Sequence, residues 1–217
     1  MSTLRLPDDG TLADLVTYVG RAQRVDPQGA ARLVARVGVL AAYVSPVHGG
    51  GGPTVLGLRV VPLANTADVD NANLDTTVPL AALADRFARG PSSHELQVPP
   101  MQARDATWAG MSPPRSGWEV VSAVDRELLL AAARSGVDEV AAGVPDGAGS
   151  AAVARLRALV WGRDLPGVPQ VPAGAAYALE ALGFVGADEP VALYAAGAWR
   201  RLTTSRGHVL TRVPLGG

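Results

Sequence analysis

No cysteine occurs among the 217 residues, which excludes disulfides, thiolate nucleophiles and sulfur-bound zinc. Lysine is equally absent, so all 19 basic side chains are arginines. That removes Schiff-base chemistry, a lysine general base and the lysine of a phosphate-binding P-loop from this chain. The Ala, Gly, Val and Arg bias reads as translation of a GC-rich genome. No apolar run approaches the roughly 18 residues of a membrane helix, and the opening MSTLRLPDDG has no signal-peptide core, so a soluble, cytoplasmic protein is expected. A formal net charge of −1 argues against a general polyanion binder, whose domain would be clearly basic.

Carboxylates are missing from one more place. From residue 190 to the end there is none, while Arg200, Arg201, Arg206 and Arg212 supply positive charge and His208 adds a titratable ring. Ahead of this stretch Pro172 suits a first helical position, Ala175, Ala178, Leu179 and Leu182 form one apolar stripe, and Gly183 stops the helix, giving a helix over 172–184. Val191, Leu193 and Ala195 then alternate with Ala192 and Tyr194. Turns at Ala196-Gly197 and Ser205-Arg206-Gly207 separate three strands into a meander. A local basic face is expected there, with Trp199 beside it.

In the first half, Thr11 and Asp14 read as a capping box one carbon short, ahead of a helix over 11–23 carrying Leu12, Leu15, Val16 and Val19. Residues 27–37 suit either a helix capped by Asp26 or a strand; the alternation of Arg32, Val34 and Arg36 with Leu33, Ala35 and Val37 favours a strand. Two more strands, 39–44 and 55–61, flank His48 and a run of four glycines. His-Gly-Gly-Gly invites comparison with the oxyanion loop of lipase-like hydrolases, but no G-x-S-x-G elbow accompanies it, and a hairpin loop is the simpler reading. Asp68, Asp70, Asn71, Asn73 and Asp75 lack the glycine and glutamate spacing of a calcium loop and suit a solvated turn. Thr77 as cap, Leu80, Leu83, Ala84 and Phe87, and Gly90 as stop give a helix over 78–89.

Five prolines and three glycines between 90 and 117 mark an irregular connection, dividing the chain into an α+β part (1–90), a connection (91–117) and a helical part ending in the meander (118–217). All four tryptophans, Trp108, Trp118, Trp161 and Trp199, fall from here onward, as core or as a recognition groove. Helices are expected over 119–135, with Val121, Val124 and Leu128 on one face, over 137–143, and, after a turn at Pro145-Asp146-Gly147, over 150–162 with Val153, Leu156 and Val160 inward. Gly147 to Ala152 matches G-x-G-x-x-A without the preceding strand that dinucleotide binding requires. His48, His94 and His208 lack metal or triad spacing, so no catalytic, metal or cofactor site is expected.

The order short helix, helix 150–162, helix 172–184 and basic hairpin resembles a winged-helix arrangement over about 100 residues. The resemblance implies DNA contacts by Arg155, Arg157 and Arg163 on one helix and by Arg200, Arg201 and Arg206 on the wing. Arg155 and Arg157, two residues apart, point to different sides of a helix and depart from that pattern. The fold class expected is α+β. The function expected is a non-enzymatic intracellular interaction or regulatory module that binds a protein through Trp199, Arg200, Arg201, Arg206, His208 and Arg212, with no membrane partner. The alternatives are a DNA-binding protein and an enzyme or small-molecule binder whose site leaves no motif.

Overall fold

Asp8, rather than Thr11, opens the first helix. Its Oδ1 accepts the Thr11 backbone N–H at 2.7 Å, so α1 (Asp9–Val25) begins two residues before the expected start. A carboxylate is a strong cap and also faces the positive end of the helix dipole. The computed structural model describes residues 2–36, 38–64, 73–89, 94–144, 149–187 and 190–213. These form two units: Met1–Ser45 with Leu58–Gly110, and Pro46–Gly57 with Met111–Gly217. The fold is α+β, with five helices and antiparallel strands among the described residues.

In the first unit, β1 (Thr3–Arg5) pairs with β6 (Glu95–Gln97), and β2 (Ala30–Arg36) lies antiparallel between β3 (Val39–Val47) and β5 (Leu74–Pro79), with β4 (Val55–Pro62) beyond β3. Residues 30–36 are thus strand. Asp26 Oδ1 accepts the Gln28 N–H at 3.1 Å and makes the turn that the Asp-Pro-Gln-Gly stretch also allowed as a helix cap. Helix α1 buries Leu12, Leu15, Tyr18, Val19 and Ala22, and the Tyr18 hydroxyl donates to the Ala42 carbonyl at 3.2 Å. Asp14 takes no part in capping; it holds Arg59 at 2.6 Å. Helix α2 (Leu80–Ala88) starts after Pro79, because Thr77, the expected cap, is held in β5 opposite Arg32. Trp108, in a short 3-10 turn (Thr107–Gly110), is buried in this unit and not in the second half, where the four tryptophans were grouped. The Asp68 to Asn71 part of the polar cluster lies outside the described residues, as does the turn at Pro145. Asp75 lies in β5, bound to Arg32 at 2.8 Å.

In the second unit, the helix expected over 119–135 is instead β7 (Glu119–Val124) followed by α3 (Arg126–Ala142). Asp125 decides the boundary: its Oδ1 accepts the N–H groups of Glu127 at 2.7 Å and Leu128 at 3.1 Å. Gly136, expected to stop a helix, sits inside α3 among its buried residues Leu129 and Ala133. Helix α4 (Ser150–Gly162) is followed by a hairpin, β8 (Asp164–Leu165) and β9 (Val168–Pro172), so α4 does not run by a simple turn into α5 (Ala173–Ala181). Helix α5 buries the expected Ala175, Ala178 and Leu179, with Leu182 buried at its C-cap, and Gly183 (φ 69°) follows while Phe184 N–H returns to the Leu179 carbonyl at 2.8 Å. The meander is present as β10 (Val191–Ala196), β11 (Trp199–Thr204) and β12 (Gly207–Arg212), with β7 added on the far side of β10 as the sheet edge.

A candidate recognition face on the C-terminal sheet

Strand register assigns each terminal side chain to a face, because directly opposed residues of antiparallel strands share one. Tyr194 of β10, Arg201 of β11 and Leu210 of β12 lie in one row; Trp199 pairs with Arg212 and Thr203 with His208 on that same face. Leu193, Leu202 and Val209 occupy the opposite, buried face. Of the six residues expected to form the basic surface, Trp199, Arg201, His208 and Arg212 therefore share a side. Arg200 does not: it pairs with Thr211 on the other face, where its Nη1 donates to the carbonyls of Gly197 and Trp199, each at 3.0 Å, and its Nη2 to the Gln170 side chain. Arg206 sits in the turn, where its backbone N–H is held by the Thr204 hydroxyl at 3.1 Å. The expected single cluster of guanidinium groups is split, because residues 200 and 201 are neighbours on a strand and must point apart.

Arg201 has the most distinctive surroundings. Its Cζ lies 4.5 Å from the centre of the Trp118 ring and 4.6 Å from that of Tyr194. Its Nε is buried and has no hydrogen-bond partner among the described residues. Burial pulls this guanidinium below its ordinary pKa, with the Tyr194 oxygen acting weakly in the opposite sense. Cation–π contacts of this kind contribute roughly 0.5–2 kcal/mol each, depending on desolvation. Trp118 is itself fixed, donating its indole N–H to the Pro114 carbonyl at 3.0 Å. By sequence, Trp118 is one of four tryptophans offered as core or as a recognition groove, and Tyr194 a strand residue; their contact with Arg201 depends on strand order, which brings residues 118, 194 and 201 together.

Two further features of the second unit can be described. The glycine run packs against α4: a Cβ on Gly50 would lie 2.9 Å from the Ala154 carbonyl oxygen, and one on Gly52 2.8 Å from the Ala158 Cα. Gly49, Gly50 and Gly51 all adopt positive φ (74°, 64° and 79°). Gly50 and Gly52 thus serve close backbone approach to a helix, whereas Gly49 and Gly51, with open space around them, supply only the positive φ of the loop. An open groove of about 430 Å³ is lined by α3, the end of α4 and β8, with Leu128, Ala132, Val160 and Pro166 on its walls. Its opposite charges satisfy each other, Arg163 bonding Glu139 through both nitrogens at 2.7 and 2.8 Å, an arrangement that pushes the Arg163 guanidinium further up. Among the described residues no group of three or more His, Asp or Glu gathers for a metal ion, and no helix is long and apolar enough to cross a membrane.

No curated protein matches the chain. A family model described as domain of unknown function (DUF8185) matches residues 113–216, and one described as domain of unknown function (DUF8010) matches residues 1–110. The junction between the two matches falls at the unit boundary after Gly110. With half of its length matched by the second of these models, the chain belongs to the DUF8010 family.

Proposed function

We propose that this chain is a non-enzymatic, cytoplasmic interaction module and that it captures a protein partner through the face carrying Tyr194, Trp199, Arg201 and Arg212. The observation that carries the reading is Arg201, a guanidinium resting on two aromatic rings with its buried Nε unpaired among the described residues. Aromatic and arginine side chains dominate the energetics of protein recognition when they are held rigid in partly desolvated positions. Arg200 is left out of the contact, since its donors are spent on Gly197, Trp199 and Gln170.

The DNA-binding alternative loses support from the same bookkeeping of donors, because Arg163 is bound to Glu139 and Arg200 to Gln170. The groove beside α3 favours a second reading, a small apolar ligand, since its volume lies in the range of small-molecule sites.

A quantitative pull-down from the source cells tests the first reading. The same co-purifying protein should be retained by R200A and lost by R201A and by R201A/R212A. Equal capture by all variants would remove this face from the reading.

A further inference from the structure

We infer, resting on the contact face just proposed, that Arg201 is its specificity-determining residue and that it receives a carboxylate, held in the plane of the guanidinium. Cζ of Arg201 lies over the Trp118 and Tyr194 rings, whose faces carry no lone-pair acceptor, so ring contact leaves the in-plane N–H donors of the guanidinium unused. None of those donors has a hydrogen-bond or ion-pair partner among the described residues. The Nε side is closed to solvent while the side chain as a whole is only half-buried, which leaves the Nη edge as the approach.

An arginine in this state is incomplete. A charged donor cut off from water without an acceptor is destabilising, and two ring contacts do not replace an in-plane acceptor. A carboxylate matches the fork of two Nη groups bidentately and is flat, so it can lie between or alongside the rings without oxygens projecting out of the plane. A tetrahedral phosphate must project them. Charge complementarity agrees: from residue 190 onward this chain offers no aspartate or glutamate of its own. In a protein partner the carboxylate is an aspartate, a glutamate or a chain terminus.

The test is a side-chain NMR titration of the ¹⁵N-labelled full chain with sodium acetate, inorganic phosphate and sodium chloride at matched ionic strength. The Arg201 Nε–H signal is identified by its loss in R201K. The Arg201 signal and the Trp118 indole N–H should shift saturably with acetate, at a concentration about tenfold below that required for phosphate, the equivalent of one added hydrogen bond. In R201K the Trp118 shift should vanish while the other indole signals stay in place, showing an intact fold. Saturation by phosphate at equal or lower concentration, or shifts that merely follow chloride, would overturn the inference. Because no partner is present, that failure is separate from the pull-down: equal capture by R200A and R201A would discard the contact face and leave the titration result standing.

Discussion

The indole of Trp161 occupies the space that a side chain at residue 136 would need: a Cβ built on Gly136 lies 2.2 Å from Cζ3 and 2.6 Å from Cη2. The same indole stacks on Tyr177 at 4.6 Å with a 21° tilt, so it cannot easily give way. Two effects compete in G136A. Alanine gains about 1 kcal/mol of helix propensity over glycine in α3, whereas forcing a methyl into a packed ring costs about 1–3 kcal/mol, with the clash here at the severe end. The variant should lose about 2 kcal/mol in denaturant unfolding. A gain in stability would mean that the ring is free to move.

Tyr18 is fully buried and its hydroxyl finds the Ala42 carbonyl, a setting that raises its pKa well above the ordinary phenol value, chiefly by desolvation. Y18F should cost about 1 kcal/mol by removing one buried hydrogen bond without creating a cavity. A spectroscopic titration should show this tyrosine remaining protonated at pH values where a solvent-exposed phenol ionises; ionisation in the ordinary phenol range would contradict its burial.

Asp8 caps α1, and the Thr11 backbone N–H foremost, then the Thr11 hydroxyl, hold its carboxyl below the ordinary range. A depressed folded pKa contributes stability that is complete above the unfolded value and lost as the pH falls through the folded one. The stability difference between parent and D8N should therefore be constant near neutrality and shrink towards zero on acidification below the usual carboxylate range. A difference that persists unchanged into acid would show that charge plays no part in the cap.

R201M separates recognition from folding. It removes a poorly hydrated cation and keeps an unbranched apolar side chain able to contact Trp118 and Tyr194. Thermal unfolding should stay within about 1 kcal/mol of the parent, because the lost cation–π contacts are offset by relief of an unpaired donor. Partner capture should nevertheless disappear. Substantial unfolding by R201M would make Arg201 a structural residue first.

Local spacing was enough for some of this protein. The stripe of Ala175, Ala178, Leu179 and Leu182 is buried along α5 and its C-cap, Gly183 follows that cap, and the turn residues 196–197 and 205–207 separate the three terminal strands. These features depend on residues a few positions apart, and their physics is complete within that distance. Residues 119–124 show where local reading fails. Val120, Val121 and Val124 fit a helical face as well as a strand, and only pairing with β10 makes the segment a strand.

What the sequence by itself determined is the chemistry that cannot occur without cysteine or lysine, the α+β class, and a carboxylate-free end of the chain. Tertiary structure alone decided which face each terminal arginine takes and what surrounds it. Backbone alternation turns Arg200 to one side, and the order β11, β10, β7 brings Tyr194 and Trp118 to Arg201 on the other. The reason is distance along the chain: residues 118 and 201 meet only because three strands pair, and pairing between strands so far apart in sequence leaves no short motif.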